Sequence, residues 1–241
     1  PTRRSSDLVC VLSDIQNMGY EVVLVSSGAI AVGRNKLNMT SKPDSMRMKQ
    51  AAAAVGQCSL MYLYDKFFGD YDKTVAQILL NAEDIEQEEK KENLINTFNA
   101  LLEMGVIPIV NENDSVSYKE IESEDRLFGD NDMLSAVVAV LCRARHLVIL
   151  SDIDGFYDHD PRLYPNAKLI EQIDTIDDSV YALAGGAGSR RGTGGMRTKL
   201  QAAALATSQG TDTIVTNGKH PEALYDIVKG LHAGTLFPGK I

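Results

Sequence analysis

Short runs of aliphatic and β-branched residues alternate along this chain with longer stretches of helical periodicity, and no other feature restricts the possible folds as strongly. The predicted strands lie at 21–26, 74–80, 106–110, 146–152 and 211–216. The predicted helices lie at 9–18, 46–68, 90–104, 134–141 and 198–209, and from Pro221 onward. Three of these helices are followed by a glycine that can cap the C-terminus: Gly19, Gly105 and Gly210. Alternating strands and helices predict an α/β fold with a parallel sheet covered on both faces.

The composition of the 241 residues narrows the functional class. With 44% hydrophobic residues the chain can build one sizeable core, and its formal net charge of -9 argues against nucleic-acid binding. Cys10, Cys58 and Cys142 lack the spacing of a disulfide framework or a zinc site, which favours a reducing cytoplasm. No apolar run approaches the roughly 20 residues that span a bilayer. We therefore expect a cytoplasmic protein that is neither secreted nor embedded in a membrane.

Four polar segments follow predicted strands, where open α/β sheets place their ligands. They are SSGA (26–29), NENDS (111–115), SDIDG (151–155) and TNGK (216–219). SSGA opens a predicted helix, whose unpaired amide groups and dipole favour an anion, although Ser-Gly is also an ordinary turn. The strand ends are therefore the places to look for a binding site.

Two of the polar clusters flank one crossover of the chain. NENDS follows the third predicted strand, and FGDNDMLSA (128–136) opens the next helix, with an acidic exposed loop or small hairpin expected at 117–128. Asn and Asp also cap helices and form turns, but two such clusters around one crossover favour a site. Asp114 can hold a substrate ammonium group, and Asn131 offers both an amide donor and an acceptor.

The glycine-rich segment GTGGMRTK (192–199) precedes the predicted helix LQAAALA. It does not have the order of a Walker A loop, because Lys199 follows a threonine. Its glycines still allow backbone amides to approach phosphate closely, and Lys199 supplies a full positive charge. The alternative is a flexible loop with a solvated lysine, as the glycines at 185–192 suggest, but phosphate binding is favoured. No protein metal site is predicted, because the four histidines lack a second ligand at metal-binding spacing.

Six segments, in their order along the chain, resemble the glutamate 5-kinases of the amino-acid kinase family, from about Val22 to Phe237. They are SSGAIAVGR, AAAAVGQ, VIPIVNENDSV, FGDNDMLSA, LVILSDIDGFYDHDP and GTGGMRTKLQAA. The resemblance implies a three-layer αβα sandwich on a mainly parallel sheet. It also implies transfer of the γ-phosphoryl group of ATP to the side-chain carboxylate of L-glutamate, which is the first step of proline biosynthesis. Family members commonly form homo-oligomers, and feedback inhibition by proline is a further expectation.

The resemblance also implies roles for individual residues. Ser27, Asp114 and Asn131 would bind glutamate. Asp132 would orient the lysines of the site, and Lys199 would stabilise the transferring phosphoryl group. The ATP side would consist of Ser151, Asp152, Thr193, Gly194, Gly195, Met196, Arg197, Thr198 and Lys199. A glutamate carboxylate, with a pKa of about 4.3, is already an anionic nucleophile at neutral pH. The reaction therefore needs positioning, cations and an ATP-bound Mg²⁺ rather than a general base.

The chain departs from the family pattern at both ends. Residues 1–8, PTRRSSDL, can be back-translated into a sequence that resembles a sequencing-library adapter, so we interpret them as a cloning or assembly artefact. The kinase domain would then occupy residues 9–241, without the strand and Lys-x-Gly motif that begin family members. We expect weaker folding and about 10² to 10³ lower turnover from the loss of that lysine. Because the sequence stops at GTLFPGKI, no C-terminal PUA domain is expected.

Three alternatives remain at this stage. Another acid kinase or nucleoside-phosphate kinase of the same fold is possible, although the NEND and GDND segments favour glutamate. A non-catalytic ligand-binding or regulatory protein that lost its phosphate lysine is the second. A structural interaction protein fits least well, because it would not need glycine and carboxylate clusters at several strand ends.

Overall fold

The computed structural model describes residues 2–116, 131–184 and 193–240. The chain divides into two compact units. We call Leu12–Asn131 the N-terminal unit, and Asp132–Ile241 together with Pro1–Val11 the C-terminal unit. The first helix, α1 (Thr2–Asn17), contributes residues to both units and includes residues 2–8. The interpretation of residues 1–8 as an artefact stays a prediction.

The N-terminal unit contains a three-stranded parallel sheet in the order β1-β3-β2. Its strands are β1 (Leu24–Val25), β2 (Val75–Leu80) and β3 (Ile107–Glu112). Its helices beyond α1 are α2 (Ala29–Lys36), α3 (Met46–Gly69), α4 (Ala82–Glu86) and α5 (Glu88–Glu103). The central strand is buried from Ile107 to Asn111, as expected for a parallel strand covered on both faces.

Helices α2 and α3 approach so closely that their backbones touch. A methyl group added at Gly33 of α2 would overlap the carbonyl of Ala52, and one added at Gly56 of α3 would overlap the carbonyl of Ala29. All four of these residues are buried. Small side chains at this crossing therefore set the distance between the helix that follows β1 and the long helix α3.

The C-terminal unit contains a second three-stranded sheet in the order β4-β5-β6. Strands β4 (His146–Ser151) and β5 (Asp212–Asn217) are parallel, and β6 (Thr235–Phe237) pairs antiparallel with β5. The helices are α6 (Asn131–Leu141), α7 (Asp178–Ala184), α8 (Thr193–Ser208) and α9 (Ala223–Val228).

The core of the C-terminal unit joins the sheet to α8. It includes Leu147 and Ile149 of β4 together with Leu200 of α8, all of them buried. The rings of Phe156 and Phe237 belong to the same cluster and meet edge to face, with their centroids 5.5 Å apart. The helix that carries the glycine-rich segment is therefore anchored in the core by its apolar face.

Most of the predicted elements are confirmed, with three informative differences. Strand 21–26 shortens to Leu24–Val25, which pairs with β3 at one edge of the sheet. The helix predicted from 198 begins at Thr193, so Gly194 and Gly195 belong to its first turn. Elements α4, α7 and β6 have no counterpart in the sequence prediction, since segments of three to seven residues carry little periodicity. The loop predicted at 117–128 and the glycines at 185–192 lie outside the described residues.

The three glycines predicted as helix caps have the backbone conformation that this role requires. Their φ angles are 93° at Gly19, 70° at Gly105 and 84° at Gly210, in the left-handed region that side chains disfavour. In the part of the chain that the structure describes, none of the helices combines the length and apolar character needed to cross a bilayer.

Candidate active site

The carboxyl ends of β1 and β3 bring two of the predicted segments together in the N-terminal unit. The register pairs Val25 with Val110, and the Ser26 amide donates to the Val110 carbonyl at 2.8 Å. SSGA and NENDS therefore emerge side by side from neighbouring parallel strands. Gly28, with φ of 90°, turns the chain into α2 directly after Ser27, which is exposed.

Both strand ends are attached to α3 by neutral hydrogen bonds. The Ser26 hydroxyl lies 2.8 Å from the Tyr64 hydroxyl, and the Asn111 side-chain amide donates to the side-chain oxygen Oε1 of Gln57 at 2.9 Å. Asn111 is only 3% exposed, and its own carbonyl oxygen accepts the Glu112 amide at 2.9 Å. The nitrogen and the oxygen of the buried Asn111 side chain thus each form a hydrogen bond, as burial of a polar group requires.

Asp114 lies in the turn that follows β3 and is half-buried. The preceding residue, Asn113, is held by its amide, which donates to the Leu80 carbonyl at the end of β2, and by the Ser115 hydroxyl, 2.7 Å from its side chain. Asn131 is exposed at the first position of α6. The structure places Ser27 and Asp114 at adjacent strand ends, and the binding roles of Ser27, Asp114 and Asn131 stay predictions.

In the C-terminal unit, Lys199 and Asp132 form a largely buried ion pair. The Lys199 Nζ lies 2.8 Å from the Asp132 Oδ2, and their side chains are 15% and 12% exposed. The Thr198 hydroxyl donates to the same carboxylate oxygen at 3.0 Å. Asp132 thus lies beside the Lys199 ammonium group on α8, and the roles assigned to both residues stay predictions.

The segment Thr193–Lys199 forms the first two turns of α8. The first four amide groups of a helix have no partner within the helix and, with the helix dipole, favour an anion. The Thr198 hydroxyl also lies 3.1 Å from the Gly195 carbonyl oxygen, and a side chain added at Gly195 would meet open space. The sequence pattern predicts a loop in front of a helix, whereas the structure shows a helical turn.

The carboxyl ends of β4 and β5 meet at a second point of the C-terminal unit. The register pairs Ser151 with Asn217, and the Gly218 amide donates to the Ser151 carbonyl at 2.8 Å. The Ser151 hydroxyl lies 3.4 Å from Asp152 Oδ1, and Arg162 donates to Asp152 Oδ2 at 2.7 Å in an exposed ion pair. Ser151 and Asp152 thus stand where the fold places a ligand, and their contact with ATP stays a prediction.

Asp154 and Asn217 link the same two strand ends through their side chains. Asn217 Nδ2 donates to Asp154 Oδ1 at 2.7 Å, and the Tyr157 hydroxyl donates to Asp154 Oδ2 at 3.1 Å. The hydrogen bond from Asn217 is the main cause that holds the pKa of the Asp154 carboxyl below its ordinary value.

Several residues of these networks are not identified as site residues by the sequence analysis, among them Gln57, Tyr64, Asp154 and Asn217. Gln57 closes the AAAAVGQ segment, and Asp154 and Asn217 belong to SDIDG and TNGK, so the segments themselves carry the signal. The bonds of Gln57, Tyr64 and Asn217 span 54, 38 and 63 residues, which one sequence does not reveal. Among the described residues, no three His, Cys, Asp or Glu side chains are grouped so that they could hold a metal ion.

Comparison with known proteins identifies relatives over nearly the whole chain. The model of the amino acid kinase family matches residues 3–217. Glutamate 5-kinase of Clostridium perfringens is 56% identical over 98% of this chain and 88% of that protein. Glutamate 5-kinase of Listeria innocua is 49% identical over 99% of this chain and 86% of that protein.

Solved structures show the same fold at lower identity. Carbamate kinase from Giardia lamblia bound to AMP-PNP has a TM-score of 0.66 at 16% identity, covering 97% of this chain and 90% of that one. Isopentenyl phosphate kinase of T. acidophilum has a TM-score of 0.62 at 20% identity, covering 98% and 90%. The family model and the glutamate 5-kinase relatives identify the chain as a phosphotransferase of α/β fold. The chain belongs to the amino acid kinase family.

Proposed function

We propose that this enzyme transfers the γ-phosphoryl group of ATP to the side-chain carboxylate of L-glutamate, forming L-glutamyl 5-phosphate in the first step of proline biosynthesis. The observation that carries the proposal is the 56% identity to a glutamate 5-kinase over 98% of the chain. The Lys199–Asp132 pair on the predicted phosphate-binding helix supports it independently.

The chemistry needs no general base, because the acceptor carboxylate is ionised at neutral pH. It needs cations and amide groups that absorb the charge of the transferring phosphoryl group. Lys199 supplies such a cation, and the carboxylate of Asp132 holds its ammonium group at 2.8 Å. Asp132 acts here as a positioning residue, with Thr198 as its second donor.

Glutamate binding is assigned to the carboxyl ends of β1 and β3. Ser27 and the amides at the start of α2 suit a carboxylate, Asp114 suits the ammonium group, and Asn131 offers an amide. The adjacent exits of SSGA and NENDS from the sheet support the assignment of Ser27 and Asp114.

The nucleotide is assigned to the C-terminal unit, with Ser151, Asp152 and Thr193–Lys199 as its binding residues. Mg²⁺ would be carried by the ATP phosphates, since this ion usually binds through substrate phosphates with only one or two carboxylates. Bound there, it neutralises part of the phosphate charge. We further propose a homo-oligomer, feedback inhibition by proline and a cytoplasmic location, the last supported by three free cysteines.

The test is ADP release with ATP, Mg²⁺ and L-glutamate, compared with L-aspartate, which is one methylene shorter. Hydroxylamine in the reaction traps an acyl phosphate as a hydroxamate, which identifies the phosphorylated group as a carboxylate. We expect glutamate-dependent hydroxamate and little with aspartate. ADP release that depends on carbamate, a nucleoside monophosphate or isopentenyl phosphate, and not on glutamate, would refute the proposal.

A further inference from the structure

Asp154 and Asn217 are hydrogen-bonded to each other, and each polar atom of the two side chains takes part in a hydrogen bond. Asp154 Oδ1 accepts from Asn217, and Asp154 Oδ2 accepts from Tyr157. The remaining side-chain oxygen of Asn217 accepts the Lys219 amide at 3.0 Å. The pair thereby ties the segment after β4 to the turn 217–219 after β5.

One side of this contact is anchored in the core. Gly155 and Phe156 are buried, and the Phe156 amide donates to the Thr235 hydroxyl at 2.7 Å. That hydroxyl in turn donates to the Ile170 carbonyl at 2.6 Å. A side chain at Gly155 would come within 2.6 Å of Thr235 Oγ1, so the backbone next to Asp154 has little room to move. The backbone that follows Asp154 is therefore held in place by the core.

The other side of the contact, at Asn217, is connected to Ser151, a residue predicted to bind the nucleotide. In the turn 217–219, the Gly218 amide donates to the Ser151 carbonyl at 2.8 Å, and a side chain at Gly218 would lie 3.2 Å from Leu150 Cβ. The position of this turn thus determines the surroundings of Ser151. Asn217 is the residue through which Asp154 holds the turn in place.

Global stability is a poor explanation for the contact. Asp154 is exposed, and hydrogen bonds of exposed charged groups contribute little to folding because water competes for both partners. A contact of this kind can still select one local conformation of two adjoining loops. The depressed pKa of Asp154 agrees with a carboxylate that is ionised and bonded at neutral pH.

We propose that Asp154 and Asn217 form a positioning pair that holds the turn 217–219 and Ser151 in the conformation that binds ATP. This inference rests on the proposed function and adds two residues to its nucleotide side. Neither residue needs to touch the nucleotide, since both act through the backbone of the turn.

The experiment compares Asn217→Asp, Asp154→Asn and the double variant that exchanges the two side chains. Asn217→Asp places two carboxylates face to face, so the KM for ATP is expected to rise about tenfold, within the coupling range of contacting residues. The KM for glutamate and kcat at saturating ATP should change less than about twofold. The exchanged pair restores an amide–carboxylate hydrogen bond and keeps an acceptor for Lys219, so it should recover the KM for ATP.

A pH series gives a readout that a general loss of structure would not produce. Two facing carboxylates raise the pKa of one of them, so the Asn217→Asp defect should shrink as the pH falls from 7 to 5 and that group binds a proton. Asp177→Asn is the matched control, because Asp177 is also an exposed carboxylate that accepts hydrogen bonds, and Asn caps α7 equally well. It should leave both KM values unchanged.

Three results would overturn the inference: an unchanged KM for ATP in Asn217→Asp, an equal rise in the KM for glutamate, or no recovery in the folded exchanged variant. Thermal unfolding of each variant shows whether it is folded. If the unaltered protein lacks glutamate-dependent turnover, the proposed function fails. Calorimetric titration with a non-hydrolysable ATP analogue then tests the pair, with the same tenfold change expected in Kd.

Discussion

The strand ends of the two units are held in place by different kinds of contact. In the N-terminal unit the contacts are neutral, between Asn111 and Gln57 and between Ser26 and Tyr64. In the C-terminal unit the contact between the ends of β4 and β5 involves a charge, since Asn217 donates to the Asp154 carboxylate, and helices α6 and α8 of that unit carry the ion pair of Asp132 with Lys199. The unit assigned to glutamate is thus supported by neutral groups, and the unit assigned to ATP phosphates presents a fixed cation.

The difference follows from the cost of burying charge. A neutral amide can be buried at little cost when its donor and acceptor are both bonded, as those of Asn111 are. An ion pair loses hydration that its mutual attraction often fails to repay, so a largely buried pair is weak evidence for stability. The Lys199–Asp132 pair is therefore better explained by the need for a positioned charge than by folding.

The largest expected effect comes from removing that charge. Lys199→Met should lower kcat by about 10² to 10³, because one preorganised electrostatic partner of the phosphoryl group is lost. It also removes the ammonium group that lies 2.8 Å from the largely buried Asp132 carboxylate, which destabilises the fold. ADP release and thermal unfolding measure the two effects separately.

A double variant separates function from folding. Asp132→Asn with Lys199→Met removes both charges of the pair, so the unfolding midpoint should recover while kcat stays low. Lys168→Met, at an exposed lysine of the same unit, should leave kcat unchanged. Recovery of kcat in the double variant would contradict a role for the Lys199 charge.

The next effect concerns the scaffold of the N-terminal unit. Gly33→Ala adds a methyl group where the Ala52 carbonyl already lies, so α2 and α3 must separate. We expect a loss of about 2 to 3 kcal/mol in the free energy of unfolding, measured by denaturant titration. The destabilisation should raise the KM for glutamate as well, since α2 begins directly after Ser27 and Gly28.

Gly69→Ala is the matched control for this substitution. Gly69 ends α3 and has open space where a methyl group would be added. Because alanine favours a helix more than glycine does, stability should stay equal or rise slightly. A Gly33→Ala variant as stable as the Gly69→Ala variant would show that the helix crossing can relax.

Prediction from sequence works where the signal is local. Residues close together in the sequence are sufficient to predict three features: the alternation of β3 and β5 with helices, the capping glycines and the polar strand ends. The pairing of Asn111 with Gln57 spans 54 residues, and that of Asp132 with Lys199 spans 67, so only the fold reveals them. The start predicted for α8 is too late because glycine disfavours helices, whereas here the helix begins with Thr193 and two glycines.

The smallest expected effect distinguishes the two units most directly. Gln57→Leu removes the acceptor of the buried Asn111 amide, and an unsatisfied buried donor costs about 1 to 3 kcal/mol. Part of that cost should appear as a rise of about fivefold in the KM for glutamate, equivalent to about 1 kcal/mol, with the KM for ATP unchanged. Asn217→Asp should raise the KM for ATP and leave the KM for glutamate nearly unchanged. Ser59→Ala, at another polar residue of α3, should change neither KM. Equal changes in both KM values for Gln57→Leu would show that the neutral contacts do not serve glutamate alone, and the assignment of one substrate to each unit would fail.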